Sequence, residues 1–378
     1  MNLSKFIKII ISSLLCLALL CSCSSNRHLK DLLIAEGLGI DFKDSENLSV
    51  TLQTLNVGMS NTSETPPGNM TLNLTSNGKT VSSSISNLSK SASKRIFFGH
   101  NKLTVLGKDL ILNDIKNYID FFLRSEDARA DVCVCASKST AKSILESKEN
   151  DTSVPSENIL YLININQKTG QSIIVYENEL LNLYSDKTSD IYLPILERKD
   201  EKSTVKTAGI GLFSNDKLSY ITNENETKGF VMLKNKTDDV LLQLNDEKLG
   251  KIDIKLSNVK CKNSVKYINS KVTFCTDISA DLMLGEIEKG ADIKLDQNDY
   301  LRINALAKKE CESVAKSAFS ACQNAGSDAL RIGKYLAKDL PEVYENQKDN
   351  WKQNFKKVSF YATSNINLEK VSDNSQIE

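Results

Sequence analysis

The feature that most constrains this chain is an apolar segment near its N-terminus that leads directly into a cysteine. Two lysines, Lys5 and Lys8, precede an almost unbroken hydrophobic run over residues 9–20. A basic start followed by a short apolar run is typical of a secretory signal peptide. Because a membrane-spanning helix needs about 20 apolar residues, this run is too short for a comfortable span. We therefore predict that residues 1–22 are a cleaved leader and that the rest is exported.

The end of the run predicts lipid attachment at one particular cysteine. The sequence Leu20-Cys21-Ser22-Cys23 resembles a bacterial lipobox, in which a small residue precedes the acylated cysteine. Cys16 and Cys21 each follow a leucine, which is too large for that position, whereas Cys23 follows a serine. We therefore predict a diacylglyceryl group on Cys23, with a further acyl chain such as palmitate where one is added. Two chains anchor a protein stably where one is marginal. An ordinary cleaved signal peptide and an uncleaved anchor helix are the alternatives.

The composition of the remaining chain fits a water-soluble body tethered to a bilayer. Without the leader the chain has 356 residues, which is too long for one ordinary domain and suggests two or three. The full sequence is 40% hydrophobic and 25% charged, so it contains enough apolar material for packed cores. The mature part has 46 basic and 48 acidic residues, a balance that argues against nucleic acid as a partner.

Six further cysteines invite a disulfide prediction in an exported protein, but their spacing argues against it. Cys133 and Cys135 lie two apart on a predicted strand, at an awkward distance for a bridge. Cys311 and Cys322 would be about 16 Å apart on a helix, too far to join. We predict small buried side chains, and no cysteine or histidine spacing fits a metal site. The six are Cys133, Cys135, Cys261, Cys275, Cys311 and Cys322.

In the first part of the mature chain, predicted strands alternate with predicted helices. Residues 48–55 alternate apolar and polar side chains, the pattern of a half-buried strand, and residues 56–76 are rich in Ser, Thr and Asn and predict a loop. Between residues 81 and 92 apolar side chains recur at helical spacing. Further strands are predicted from residue 37 and over residues 95–107, 131–136 and 191–196, and further helices over residues 111–124 and 137–146.

A charged stretch over residues 197–202 separates this α/β region from one that is richer in antiparallel strands. Residues 214–216 have the composition of a turn between two short apolar strands, which predicts a hairpin. Apolar residues alternate over residues 252–256 and 272–282, the pattern of antiparallel strands with one buried face. The remaining predicted elements are a long alanine-rich helix over residues 301–338, which ends before Pro341, and a last strand over residues 358–368.

Several stretches, taken in order after the lipobox, carry a resemblance to a known family. They are LKDLLIAEGLGID, RIFFGHNKLTVLGKDL, FFLRSEDARADVCVCASK, AGIGLFSNDKLSYIT with its trailing Glu226-Thr227-Lys228-Gly229, and the C-terminal stretch from DALRIGKYLAKDLPEVY to NINL. Together they resemble the C-subunit lipoproteins of bacterial spore germinant receptors, the Ger(x)C family. Two departures stand out: residues 24–27 read Ser-Ser-Asn-Arg where the family commonly has Trp-Asp-Arg, and the family more often has a tryptophan near Tyr344.

The resemblance implies a non-enzymatic subunit, without a cofactor, at the outer face of the spore inner membrane. Its implied partners are two membrane-embedded germinant-receptor subunits, of the A type and the B type, and the bilayer itself through the acylated cysteine. The implied complex senses small nutrients such as amino acids or sugars. It then triggers release of ions and dipicolinate from the spore core.

The fold that the resemblance implies is an α+β mixed, three-domain body of mixed and antiparallel sheets with packed helices, after a cleaved lipoprotein signal peptide. We assign residues 1–22 to the signal peptide and residues 23–200 to an N-terminal α/β domain. Residues 205–250 are predicted to form a small middle β-rich domain. Residues 251–378 are predicted to form a C-terminal domain with antiparallel strands and the long helix.

The residues themselves give little support to an enzyme. His28 lies close to the predicted anchor, and His100 lacks a second histidine or a nucleophile beside it, so a structural role at a strand end is favoured over a general base. Gly209 and Gly211 only faintly resemble a dinucleotide-binding loop, because the third glycine is missing and the segment enters a hairpin rather than a helix. We therefore predict no catalytic residue.

Two other groups of residues admit a structural and a functional interpretation. Arg124, Glu126 and Arg129 form a charged cluster near a helix end, and we favour a surface or inter-element ion network over a ligand site. Trp351 and Phe355 lie four apart on a predicted helix, where a core anchor and a partner-docking face are both open.

Three functional classes follow. The first is a receptor-complex subunit that acts by protein–protein contact. The second is a solute-binding lipoprotein of a transporter, which would have two similar α/β lobes around a hinge. The third is a surface-anchored hydrolase, which would need a nucleophile and base or a cleft with a perturbed carboxylate pair. We favour the first class and keep the solute-binding lipoprotein as the alternative.

Overall fold

A computed structural model describes most of the body of this chain. Apart from Ile7, the predicted leader lies outside the described residues, and so do Cys23 and His28, so lipidation at Cys23 stays a prediction. None of the helices within the described part is long and apolar enough to cross a membrane. The described residues are Ile7, 32–55, 71–92, 94–125, 129–147, 154–200, 204–289 and 295–368.

The first half of the body is built on a mixed sheet, here called the large sheet. Its strands are β1 (Leu32–Phe42), β2 (Leu48–Leu55), β3 (Thr71–Gly78), β4 (Arg95–Phe97), β5 (Leu103–Leu106), β6 (Cys133–Ser137), β7 (Tyr192–Glu197), β8 (Lys206–Ser214) and β9 (Lys217–Ile221). They lie in the order β3-β2-β1-β5-β6-β7-β8-β9, and β4 pairs with the start of β1. The pairings from β1 through β5 and β6 to β7 are parallel, and the outer pairings are antiparallel.

Helices cover both faces of the large sheet. Because a central parallel strand is buried on both faces, every residue of β5 and β6 is apolar or small, and every one is buried. Alternate side chains enter two cores: Val105, Cys133 and Cys135 point to one face, and Val134 and Ala136 to the other. The helices of this half are α1 (Val81–Ser91), α2 (Lys108–Asn113), α3 (Lys116–Arg124), α4 (Ala141–Leu145), α5 (Pro155–Lys168) and α6 (Glu177–Ser185).

The second half is built on another mixed sheet, here called the small sheet. Its strands are β10 (Val240–Asp246), β11 (Gly250–Ile268), β12 (Lys271–Ile287) and β13 (Ser359–Leu368), in that order, with β12 and β13 parallel. Buried and exposed residues alternate strictly along β10, because one face packs on a long helix and the other faces solvent. The helices are α7 (Glu224–Leu233), α8 (Gln297–Ala325), α9 (Ile332–Asp339), α10 (Pro341–Gln347) and α11 (Trp351–Phe355).

Close packing between α7 and α8 explains one short motif of the sequence. Asn223 caps α7, and Glu226 completes a reciprocal capping box with it. Three residues further on, a Cβ atom at Gly229 would clash with the carbonyl oxygen of Val314 on α8. The backbones of the two helices meet at this position, so the Glu-Thr-Lys-Gly sequence both starts α7 and allows its contact with α8.

The cysteine and hairpin predictions are confirmed. All six cysteines of the described body are free and buried. Strands β8 and β9 form the predicted hairpin, with Asn215 and Asp216 at φ of 52° and 63° in its two-residue loop. The predicted fold class, a mixed α+β body with mixed sheets and packed helices, is also confirmed.

Several predicted elements differ from the structure. Residues 71–76, predicted as part of a loop, belong to strand β3, which pairs with β2, and β1 begins at Leu32, before the predicted start at residue 37. The strand predicted over residues 95–107 is two strands, because a turn closed by a bond from Asn101 N to Phe98 O separates β4 from β5. The helix predicted over residues 111–124 is divided into α2 and α3 around Asp114. The helix predicted over residues 301–338 ends at Ala325, where Gly326 adopts the left-handed conformation that commonly terminates a helix.

The division of the chain into three domains stays a prediction. Strands β8 and β9 come from the predicted middle segment and continue the large sheet, whereas β10 pairs with β11. One hydrophobic core contains residues of both sheets and of the helices between them.

Candidate functional site

The predicted lipid site precedes the first strand by only nine residues of sequence. β1 begins at Leu32, nine residues after Cys23. Since an extended chain spans at most about 3.6 Å per residue, that connection reaches no further than roughly 32 Å. An acyl group on Cys23 would therefore hold the start of β1 close to the membrane surface.

His100 occupies the turn between β4 and β5 rather than a strand end. Its side chain is 54% exposed, and Nδ1 lies 2.8 Å from Oε1 of the buried Glu36. Lys102 lies 3.7 Å from the other Glu36 oxygen and 2.9 Å from Glu157, so the histidine belongs to a small ion network. The histidine therefore ties the β4–β5 turn to β1, which is a structural role.

The predicted charged cluster is a set of separate surface pairs. Arg124 lies 2.8 Å from Asp120, one turn earlier on α3. Arg129 lies 2.6 Å from Asp131 and also donates to the carbonyl of Gly99. Glu126, the third member of the prediction, lies outside the described residues. Because water screens exposed pairs of this kind, they contribute little to the stability of the fold.

Trp351 and Phe355 are core anchors. Both side chains are buried, and their ring centroids lie 6.2 Å apart. The indole Nε1 of Trp351 donates to Asp328 Oδ2 at 2.9 Å. The sequence left two interpretations open, and the structure shows that these residues are core anchors.

Asp328 is the centre of a group of contacts that sequence analysis missed, here called the Asp328 junction. Its carboxylate accepts hydrogen bonds from the backbone N–H groups of Ile332 and Gly333, at 2.8 and 2.7 Å, as well as from Trp351. The N–H of Asp328 donates to Asp190 Oδ2 at 2.8 Å, just before β7. The junction therefore fastens the start of α9 and α11 to the large sheet.

The surroundings of the junction are buried and close-packed. A Cβ atom at Gly333 would lie 2.7 Å from Trp351 Nε1, so glycine is needed where α9 passes the indole. Burial raises the pKa of Asp328 to about 7, against the lowering effect of its three N–H donors. The break Gly326-Ser327-Asp328 inside an alanine-rich pattern is the sequence signal that would have located this site.

A second buried carboxyl, that of Glu177, lies at the first turn of α6. Its Oε1 accepts hydrogen bonds from the hydroxyls of Tyr118 and, at 3.5 Å, Thr104. Burial raises the pKa of Glu177 to about 8. The adjoining cavity holds only about 20 Å³, little more than the room one water needs. This carboxyl is therefore enclosed in the core and does not face a substrate-sized cleft.

The raised pKa of Glu177 predicts a pH-dependent stability. Between about pH 4.5 and pH 8 the folded protein keeps a proton that the unfolded chain has released, so the free energy of unfolding falls as pH rises through this window. The loss is up to about 1.4 kcal/mol per pH unit. Glu177→Gln removes this contribution. The free energy of unfolding of the variant, relative to that of the parent protein, should therefore rise by roughly 3 kcal/mol between pH 5 and pH 8.

Urea unfolding of the full chain in a neutral detergent, repeated at each pH, measures this difference. Glu342→Gln is the matched control, because Glu342 is exposed on α10 and the same chemical change there should leave the slope as it is. If the free energies of unfolding of Glu177→Gln and the parent protein change in parallel with pH, Glu177 has the same pKa in the folded and unfolded protein, and the prediction is wrong.

Among the described residues, no group of three or more histidine, cysteine, aspartate or glutamate side chains is arranged to hold a metal ion. The segment with Gly209 and Gly211 is strand β8, as its assignment to a hairpin predicts. The structure thus brings together Asp328, Trp351 and Gly333 of the C-terminal stretch, and leaves His100 and the arginines at separate places on the surface.

Comparisons with known proteins agree with this architecture. Residues 25–198 match the model of the spore germination protein N-terminal domain, and residues 208–372 match that of the spore germination B3/GerAC-like C-terminal domain. Spore germination protein B3 of Bacillus subtilis is 21% identical over 90% of this chain and 91% of its own length. Spore germination protein KC of the same organism is 21% identical over 90% of each chain.

A solved structure shares the fold. The crystal structure of the GerBC protein superposes with a TM-score of 0.59 and 17% sequence identity, over 88% of this chain and 96% of that one. Since the two domain models together match most of the chain, this protein belongs to the GerAC-like family of spore germination proteins.

Proposed function

We propose that this protein is the membrane-anchored lipoprotein subunit of a spore nutrient-germinant receptor and acts by protein–protein contact in triggering germination. The observation that carries the proposal is the match of both domain models, in order, over residues 25–198 and 208–372. Relatives named as spore germination proteins align over nine-tenths of their length, so the similarity extends through the whole body.

The anchor supplies the physical basis of the proposed mechanism. A lipid on Cys23 would confine the body to within the reach of nine residues from the outer face of the spore inner membrane. Confinement of this kind raises the effective concentration of the body for membrane-embedded A-type and B-type subunits. The body would then bias the conformational equilibrium of these partners or stabilise their assembly.

The alternative, a solute-binding lipoprotein of a transporter, fits the fold less well. Such a protein would have two similar lobes around a hinge. Here the large and small sheets differ in strand order and in size, and a shared hydrophobic core joins them within the described body. The enclosed position of Glu177 likewise gives no support to the surface-anchored hydrolase.

Co-purification from spores tests the proposal. A tag placed after the last described strand, at the C-terminus, avoids the anchor, and the spore inner membrane is solubilised in a mild detergent before capture. We expect mass spectrometry to find one multi-spanning subunit and a second membrane subunit with soluble domains.

Two controls make this result specific. An untagged strain and a strain with the same tag on an unrelated lipoprotein of that membrane define the background. Recovery of the protein alone would contradict the proposal. Recovery of permease and ATPase subunits would instead favour the solute-binding alternative.

A further inference from the structure

A cleft of about 350 Å³ opens where α6, α7 and α9 meet. It is lined by five basic side chains and one acidic side chain, and we call it the basic cleft. Two of the basic residues lie at or just after the end of α7, one precedes α9, and two lie on α9. These residues are Lys234, Lys236, Arg331, Lys334 and Lys338, and the acidic residue is Glu179.

The ion pairs around the cleft leave much of its positive charge uncompensated. Lys236 lies 3.3 Å from Glu179, and Arg331 lies 2.8 Å from Asp186. Within the part of the chain that the structure describes, Lys234, Lys334 and Lys338 have no carboxylate within ion-pair distance. Three lysines therefore share one concave surface with a single carboxylate, that of Glu179, which is already paired with Lys236.

The deepest of these cations is held in an unfavourable position for a charge. The pKa of Lys234 is lowered to about 8, chiefly by burial and in addition by Arg331 and Lys236, while Glu179 and Asp328 oppose the shift. Lys234 Nζ makes only a 3.3 Å hydrogen bond to the carbonyl of Ala329 and lies 4.6 Å from the centroid of the Tyr192 ring. An anion placed beside it would favour its charged form.

Arg331 adds an unsatisfied donor to the same place. Its Nε is buried and has no hydrogen-bond partner. The residue also adopts the left-handed backbone conformation, with φ of 64°, which costs a non-glycine residue about 1–2 kcal/mol. A buried donor without a partner carries a desolvation penalty that a bound acceptor would remove.

The size and apolar part of the cleft indicate what kind of anion it takes. Leu330 and Tyr335 contribute carbon surface beside the charged groups. A volume near 350 Å³ lies at the small end of the range for small-molecule sites, which combine apolar walls with a few converging polar groups. An inorganic ion would leave the apolar wall uncovered.

We propose that the basic cleft binds a small organic anion, with its carboxylate or phosphate against Lys234, Lys334 and Lys338 and its carbon skeleton against Leu330 and Tyr335. This gives the body a ligand site of its own, in addition to its proposed contacts with membrane partners. The site depends on residues from α7 and α9 together, so the Asp328 junction that positions α9 also positions the cleft.

Binding of simple probes to the full chain in a neutral detergent tests the proposal. Benzoate and phenyl phosphate carry the required charge beside an aromatic ring, and benzamide is a neutral analogue of benzoate. We expect saturable binding of at least one anion by isothermal titration calorimetry, with benzamide at least about tenfold weaker, the factor that corresponds to 1.4 kcal/mol.

A pair of charge variants assigns the binding to the cleft. Lys334→Gln with Lys338→Gln removes two exposed charges from α9 and should weaken anion binding about tenfold. Lys309→Gln with Lys316→Gln makes the same change in net charge on exposed positions of α8, away from the cleft, and should leave binding as it was. Thermal unfolding checks that both variants keep the fold.

Four results would overturn the proposal. They are equal binding of benzamide and benzoate, an equal loss of affinity in the α8 control, no anion binding by the folded parent protein, and binding only to phosphatidylglycerol vesicles through the cleft lysines. The last would reassign the cleft to the membrane surface. If the double variant fails to fold, Lys338→Gln alone serves, since Lys338 is exposed near the end of α9.

Discussion

Replacing Asp328 by alanine is expected to lower the free energy of unfolding of this protein by about 4 kcal/mol. The change leaves the N–H groups of Ile332 and Gly333 and the indole N–H of Trp351 without an acceptor, in a buried place. An unsatisfied buried donor costs about 1–3 kcal/mol, and release of a buried carboxyl with a raised pKa offsets part of the sum.

Urea unfolding of the full chain in a neutral detergent at pH 7 measures this loss. Trp351 is the only tryptophan of the sequence, so its fluorescence reports directly on the junction. We expect a lower urea midpoint for Asp328→Ala. The emission of its folded state should also lie at longer wavelength, because the indole loses its partner and becomes more accessible to water.

Two further variants make the result specific to the junction. Asp328→Asn keeps one side-chain oxygen as an acceptor but turns its amide NH₂ group toward N–H donors. Its free energy of unfolding should therefore lie between those of the parent protein and the alanine variant. Asp339→Ala removes an exposed carboxylate at the end of α9, and the free energy of unfolding of this variant should stay within about 0.5 kcal/mol of that of the parent protein. A similar value for Asp328→Ala would contradict the assigned role.

Most strands of the two sheets could be predicted because their burial pattern is visible in the sequence. Strand β3 could not, since its residues are largely Thr, Ser and Asn and predict a loop. The residues of β5 and β6 are apolar or small throughout, because both faces of these strands are covered. Along β10 to β12 apolar and polar residues alternate over much of the length, because one face of the small sheet is exposed to solvent. The turn between β4 and β5 leaves no such trace. Phe97 and Phe98 are as apolar as the strands on either side, and only pairing with β1 shows that the strand stops there.

The break Gly326-Ser327-Asp328 could have been noticed in the sequence, but the partners of Asp328 and the members of the basic cleft could not be predicted, because they are far apart in the chain. Asp190 and Asp328 are 138 positions apart and are joined by the packing of α9 on the large sheet. Lys234 directly follows α7 and Lys338 lies on α9. The spacing of apolar residues predicts each helix separately and does not show that the two helices meet. Helix α8 ends at Ala325, before the left-handed Gly326, where the alanine-rich pattern alone predicts continuation.

Cys23→Ala is expected to transfer this protein from the membrane to the soluble fraction of spores and to slow germination. A buried methylene contributes about 0.8 kcal/mol to membrane binding, so loss of two or more acyl chains removes essentially all of the affinity of the proposed anchor. Loss of the tether should also lower the effective concentration at membrane partners, for which a factor of roughly 10²–10⁴ is typical of linked binding.

Fractionation of broken spores with antibody detection measures the first effect, and the rate of nutrient-triggered germination measures the second. Cys21→Ala is the matched control, because Cys21 follows Leu20 and lies in the predicted leader, so this variant should stay on the membrane and germinate normally. Normal germination with a fully soluble Cys23→Ala protein would show that the anchor is dispensable. A Cys23→Ala protein that stays membrane-bound with residues 1–22 still attached would show that the apolar run itself is the anchor.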